Sequence, residues 1–410
     1  MPDTVIEKSF AEFEVAAGAT FRPPGVAEAQ RRIRVRRRRR GLLAGLLALL
    51  LAGPAGTYAA AHRGDPPVPR PIPTVSPTPG GKVIERKIAL PGVPGGLTGL
   101  QFVDSRTGWA LFDTCDSNDP MARGCRRTVA RTTDGGTTWT VVALPEAPDG
   151  AAYLLPRDGR TLTVVAGRRY LVTVDGGATF SSSPLDSPSA ATRRAMATPN
   201  GFVVACPSFL GPGDGARGKS CDRQQVLRVD DDPLPQQPPV TLRPGGEHAL
   251  MEGGDGRLWL TVTEGDRLTV VTSDDRGATW RKLPAVVGAR SLTVSPDGMD
   301  AWLVRTDAPN GTWRLAGDRW QPGPGVPDET YEVAAAGDGI LVVSSRYGGL
   351  GFVADGRYVD VPELRDALRS NPDDQPAVAM LPDGTVQIRY GGTQFLGIGR
   401  GVERTWIRLS

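Results

Sequence analysis

Seven short hairpins recur between residue 82 and the end of this 410-residue chain, each an apolar strand, a turn closing on glycine, and a second apolar strand. As written they are "QFVDSRTGWALF", "LLPRDGRTLTVV", "MATPNGFVVAC", "LMEGGDGRLWLTV", "TVSPDGMDAWLV", "VAAAGDGILVVS" and "VAMLPDGTVQIRY". The turn glycines are Gly108, Gly159, Gly201, Gly256, Gly298, Gly339 and Gly384, spaced 51, 42, 55, 42, 41 and 45 residues apart. Most of the turns read Asn-Gly or Asp-Gly, a strong hairpin signal because glycine accepts the positive φ that twisted strands require. A content of 52 Gly and 37 Pro fits many short strands joined by tight turns.

A period of this length with about four strands per unit is the signature of a β-propeller. Each blade covers its neighbours, and closing the ring removes the edges an open array would expose. The expectation is an all-β, seven-bladed β-propeller over residues 82–410, with six or eight blades also compatible. The segment "VIERKIALPG" (83–92) reads as a lone outer strand that closes the ring against the last blade.

Between hairpins a second pattern recurs: "TTDGGTTW" (132–139), "TVDGGATF" (173–180) and "SDDRGATW" (273–280). All three fit Ser/Thr-x-Asp-x-Gly-x-Thr-Trp/Phe. The pattern resembles the Asp box, or BNR repeat, of bacterial sialidases and of propeller-type photosystem assembly factors. In those families the box lies on the rim, away from the ligand face. The chemistry of the residues points the same way. Asp134, Asp175 and Asp275 can accept hydrogen bonds from backbone N–H groups further along the turn. Gly136, Gly177 and Gly277 supply unusual φ, while Thr132, Thr173 and Ser273 open the turns and Thr138, Thr179 and Thr279 bond back across them. Trp139, Phe180 and Trp280 then enter the next strand and place a ring between blades. These residues are read as structural clasps.

The N-terminal part differs in character. "RRIRVRRRRR" (31–40) runs into "GLLAGLLALLLAGPAGTYAAA" (41–61), 21 residues without a charge. As a helix these extend roughly 30 Å, enough for a bilayer core, and the flanking arginines would stay cytoplasmic. A cleaved signal peptide with its exit near residues 59–61 is the competing reading. The expectation is a disordered basic cytoplasmic leader (1–40), a transmembrane helix touching membrane lipid (41–61), a Pro-rich spacer unable to join a ladder (62–81), and an extracellular domain (82–410). That is a single-pass plasma-membrane protein with its N-terminus in the cytoplasm. Residues 1–40 carry ten Lys/Arg against five Asp/Glu, leaving the rest at about −2 of the total +3, so the body is not expected to bind nucleic acid. Forty-three of the 48 basic residues are arginine, as in proteins from GC-rich genomes, and an actinobacterial source is expected.

Four cysteines bracket insertions in the two longest repeats: Cys115 with Cys125, and Cys206 with Cys221. They read as two local disulfides. Zinc is the alternative, but no Cys-x-x-Cys spacing occurs and the histidines are His62 and His248 alone. No catalytic residue, metal or cofactor is assigned. The resemblance to sialidases would imply three arginines clamping a carboxylate, a Tyr–Glu pair and an acid/base aspartate. Yet the family's Phe/Tyr-Arg-Ile-Pro motif is missing; "ERKIALP" (85–91) is the closest phrase. "ETYEV" offers Glu329, Tyr331 and Glu332 in a single strand, whereas the family draws its tyrosine and glutamate from separate blades. "GDGARGKS" (213–220) matches a phosphate loop in letters but lacks the flanking strand and helix that one needs. The expected function is a non-catalytic binding or scaffold module for an extracytoplasmic protein or cell-envelope glycan. A divergent sialidase-like glycoside hydrolase is the alternative.

Overall fold

The computed structural model describes residues 74–75, 83–115, 124–145, 151–185, 187–205, 222–229, 234–307, 310–346, 349–368, 375–390 and 392–410. All belong to one compact unit, Pro69–Ser410. Among the described residues the strands form seven sheets, each an antiparallel meander in chain order apart from two added strands. Sheet one comprises Gly96–Phe102, Gly108–Asp113, Arg127–Thr132 and Thr140–Val142. Sheet two comprises Ala152–Pro156, Leu162–Ala166, Arg169–Thr173 and Ser181–Pro184. Sheet three has two described strands, Phe202–Ala205 and Gln225–Arg228. Sheet four opens with His248–Glu252, Leu258–Glu264 and Arg267–Ser273, and its outer strand is split into Arg281–Lys282 and Val286–Val287. Sheets five, six and seven begin at Ser291–Val294, Thr330–Gly337 and Ala377–Met380 and each add three more strands.

What makes the sheets a ring is the way their apolar faces are shared. Leu111 and Val129 of sheet one pack with Leu154 and Val164 of sheet two. Single clusters likewise join sheets three and four, four and five, five and six, and six and seven. The ring closes where Leu396, Ile407 and Leu409 of sheet seven pack with Leu100, Phe102 and Ala130 of sheet one. Ile84–Arg86 runs parallel to Glu403–Leu409 as a fifth strand of sheet seven, which is the closure expected of "VIERKIALPG". This arrangement is a β-propeller.

One junction departs from the rest. No cluster of buried apolar residues joins sheets two and three among the described residues. Val203, Ala205 and Leu227, on one face of sheet three, form a small cluster of their own.

Several expectations are corrected. No helix among the described residues is long and apolar enough to cross a membrane; the two helices there, α1 (Ala190–Met196) and α2 (Pro362–Leu368), have seven residues each. The single-pass plasma-membrane location, with its lipid contact and extracellular C-terminal domain, is therefore not supported. Residues 1–40 and 41–61, expected as leader and membrane helix, lie outside the described residues, as do Cys206, Cys221 and 213–220. The Pro-rich spacer does join a ladder. Thr74–Val75 pairs in parallel with Tyr358 and Val359 at the outer edge of sheet six, the kind of edge position proline-rich chain tolerates. Gly201, Gly256, Gly298, Gly339 and Gly384 take φ between 76° and 84°, but Gly108 and Gly159 do not have positive φ. Gly108 is instead required by space, since a Cβ there would sit 2.8 Å from the Phe102 ring.

The turn at Gly177 presses on the neighbouring sheet. Its φ is +98°, and a Cβ would collide with the Val142 methyls on the outer strand of sheet one. Gly177→Ala is expected to lower stability by about 2–4 kcal/mol, combining left-handed strain with overpacking. Chemical denaturation followed by tryptophan fluorescence checks this.

Candidate functional site

Two sets of residues compete for function: the repeated acidic turns and the open junction. In the turns, Asp134 accepts hydrogen bonds from the Thr137 and Thr138 N–H groups at 3.0 and 2.9 Å and from the Thr138 and Thr132 hydroxyls at 2.6 and 2.8 Å. Asp175 accepts from the Thr179 N–H and hydroxyl at 3.0 and 2.6 Å and from the Thr173 hydroxyl at 2.8 Å. Asp275 accepts from the Thr279 N–H and hydroxyl at 2.8 and 2.6 Å and from the Ser273 hydroxyl at 2.8 Å. The same Thr132, Thr173 and Ser273 oxygens accept the N–H of Gly136, Gly177 and Gly277 at 3.0, 2.9 and 2.7 Å. The threonine hydroxyl, then the threonine N–H, pull Asp134 and Asp275 down to about 2 and hold Asp175 far below its ordinary value.

These aspartates belong to separate sheets and do not converge. Their turns face neighbouring sheets instead. A Cβ at Gly136 would lie 2.5 Å from Leu409 of sheet seven, and one at Gly277 would lie 3.0 Å from Leu234 beside sheet three. Arg86 of the closing strand donates to the Gly135 carbonyl. Trp139, Phe180 and Trp280 pack, half-buried, against the clusters between sheets. Trp139 meets Phe102 edge-on with centroids 6.1 Å apart.

The residues weighed for hydrolysis are also occupied or scattered. Glu332 accepts the N–H of Val378 in sheet seven at 2.7 Å, and Tyr331 is exposed. Every carboxylate with a resolved shift among the described residues is shifted down. Cys115 and Cys125 are joined in a disulfide between the second and third strands of sheet one. Asp113 lies beside them, and its two oxygens accept from Arg127 at 2.7 Å and from the Cys115 N–H at 2.9 Å.

The open junction holds a cavity of about 700 Å³, lined by Tyr170, Leu185, Met196, Val204, Leu250 and Met251 among others. α1 forms one wall. Ser189 caps it by accepting the Thr192 N–H at 3.2 Å. The buried Thr192 hydroxyl also meets Ser183 of sheet two at 2.9 Å, which fixes the helix to that sheet. Arg157, from the hairpin turn of sheet two, donates to the carbonyls of Arg194, Thr198 and Pro199. These hydrogen bonds tie α1 and the turn after it to sheet two.

The faces left over are apolar. Along Ala152–Pro156, Ala152 and Leu154 are buried against sheet one, so the alternate residues Tyr153 and Leu155 point the other way, 55% and 48% exposed. Val174, Leu185 and Met196 are exposed too. Arg193, His248 and Glu252 supply charge or polarity in the lining. Asn200 occupies both Glu252 oxygens, one through its N–H at 2.9 Å. Sequence reasoning missed this site. The one signal was Ser189 followed by the helix-forming "AATRRAM", a capped helix inside a repeat read as strands only.

No protein-family model and no curated protein sequence matches the chain. Solved structures similar to it include YCF48 bound to D1 peptide, at 16% identity over 82% of this chain and 86% of that one, TM-score 0.32. The GH74 xyloglucanase from Xanthomonas campestris is 16% identical over 77% of this chain and 47% of that one, TM-score 0.31. The C-terminal WD40 domain of Sif2 is 10% identical over 81% and 90%, TM-score 0.42. At these scores none carries an argument about function.

A carboxylate whose pKa falls on folding stabilises the fold above its unfolded value, about pH 4, and that stabilisation disappears as the pH falls toward about 2. The triple variant Asp134→Asn, Asp175→Asn, Asp275→Asn is expected to be less stable at pH 7 and to lose less further stability between pH 4 and pH 2. Melting temperatures across that range measure it; an unchanged slope would show that the turns contribute nothing.

Proposed function

We propose that this protein is a non-catalytic binding module that docks a segment of a partner protein in the cavity between sheets two, three and four. The observation that carries this is the cavity at the one junction where no shared apolar cluster occurs among the described residues. Protein interiors are close-packed, and six junctions here obey that rule through shared apolar clusters. At the other junction the exposed apolar side chains of Leu185 and Met196 line the cavity. A concave apolar surface with a few polar groups at its margin is the usual form of a binding site. The fixed capping of α1 and the Arg157 tie hold that surface ready before a partner arrives.

The full-length protein is panned against a random peptide library displayed on phage, and affinities of synthesised winners are measured by fluorescence polarisation. Met196→Asp is expected to weaken binding at least about tenfold. Met299→Asp, at an exposed residue on the sheet-five hairpin turn, is expected to leave it unchanged. Absence of any selected peptide, or binding indifferent to Met196→Asp, would overturn the reading. Turnover of a fluorogenic sialoside by the same preparation would replace it with hydrolysis.

A further inference from the structure

Resting on that docking reading, we propose that the bound segment lies extended and adds as a new strand to the inner edge of sheet three, hydrogen-bonded to the main chain of Val204. The register decides which groups face the edge. Val229 N–H donates to Gly201 C=O at 2.8 Å, continuing the ladder in which Val203 faces Leu227 and Ala205 faces Gln225. In an antiparallel pair the hydrogen-bonded positions alternate. Phe202 and Val204 therefore turn their N–H and C=O away from Gln225–Arg228. Phe202 is satisfied locally, its N–H donating to the Thr198 hydroxyl at 3.1 Å and its C=O accepting from the Thr198 N–H at 2.9 Å. Val204, the next residue with the same aspect, has no such partner among the described residues, and it lines the cavity.

Three other edge positions are closed by side chains. On the opposite edge of the same sheet, the Gln237 side-chain amide accepts from Val226 N–H at 3.0 Å and donates to Val226 C=O at 2.9 Å, standing in for a missing strand. On the inner strand of sheet six, Ala335 N–H donates to the Thr293 hydroxyl at 2.9 Å, and on that of sheet seven Val378 N–H donates to Glu332 at 2.7 Å. Two further polar atoms of the cavity lining, Arg193 Nε and Gln224 Oε1, are buried without a hydrogen-bond partner. Buried polar groups are nearly always paired, so these groups point to a ligand that brings donors and acceptors together. An extended peptide presents both, at strand spacing, and strand addition of this kind is a recurrent mode of recognition.

Charge narrows the partner further. Among the described residues no carboxylate pairs with Arg193, whose guanidinium donates only to the Pro188 carbonyl at 3.3 Å, while the lining carboxylate of Glu252 is already held by Asn200. The segment expected is one with alternating apolar residues toward Leu185, Met196 and Leu250 and an acidic group that meets Arg193.

The test uses the full-length protein and the peptides selected by panning, each resynthesised with a single backbone N-methyl group at successive positions. Strand addition predicts an alternating profile, with every second methyl weakening binding about tenfold or more, and enrichment of acidic residues that is lost when panning is repeated on Arg193→Gln. Val204→Pro removes the N–H that sheet three turns toward the cavity without touching the Gln225–Arg228 ladder, and is expected to cost a similar factor at an unchanged melting temperature. The N-methyl scan on the unaltered protein decides the matter even where Val204→Pro folds poorly. A flat scan with binding still abolished by Met196→Asp would overturn strand addition and leave docking intact. Binding insensitive to Met196→Asp would remove the docking reading itself. A photocrosslinker at position 196 that reacts with the chain's own residues 206–221 rather than with peptide would overturn both.

Discussion

Each of these sheets has apolar side chains on both faces, and the need to cover both at once governs the rest of the molecule. A sheet covered on one side only would leave rows of Val, Leu and Trp in water, at roughly 25 cal/mol for each Å² of apolar surface. A ring gives every sheet two neighbours and no outermost member. Fully buried Trp109 and Trp259 in second strands, and Trp406 in a fourth, mark how deep that covering goes. Arginines stack over the rings of Trp109, Trp259 and Trp302 at 5.2–5.5 Å.

The acidic turns act within that constraint. Their aspartates sit at the surface, yet the glycines beside them are forced against the preceding sheet. A turn held rigid by four or five hydrogen bonds lets backbone approach a neighbour where any side chain would intrude. The internal rigidity of the turn and the packing between sheets are therefore one device. Arg276, at φ +58°, shows that the first of the two left-handed positions tolerates a side chain where it points to solvent. The second position is glycine in all three turns.

Much of this architecture was legible. The spacing of hairpin glycines gave the number of sheets, because a turn needs glycine for reasons local to four residues. The closing strand was legible because "VIERKIALPG" precedes the first hairpin and has no partner nearby. The binding cavity was not legible. Tyr153 and Leu155 alternate in sequence as any core-facing pair does, and nothing local records that no apolar cluster among the described residues covers them. Sheet three itself read as an ordinary repeat, since the role of a neighbouring strand is taken by one side chain, Gln237, with no periodicity to betray it. Thr74–Val75 was hidden by its prolines, which forbid a central strand but not a parallel addition at an edge.

The closing strand also bears on how the chain reaches this state. Ile84–Arg86 is made before any of the seven sheets, yet its ladder partner, Glu403–Leu409, belongs to the seventh. Until sheet seven is made, sheet one has a neighbour on one flank only, and its other flank waits with Leu100 and Phe102 bare. Such a chain is topologically slow to mature, and its closing strand is free during that interval to complete another molecule's seventh sheet. Linking Leu409 directly to Ile84 by circular permutation of the ring, with new termini cut into an exposed hairpin, would convert that distant pairing into a local one and shorten the vulnerable period.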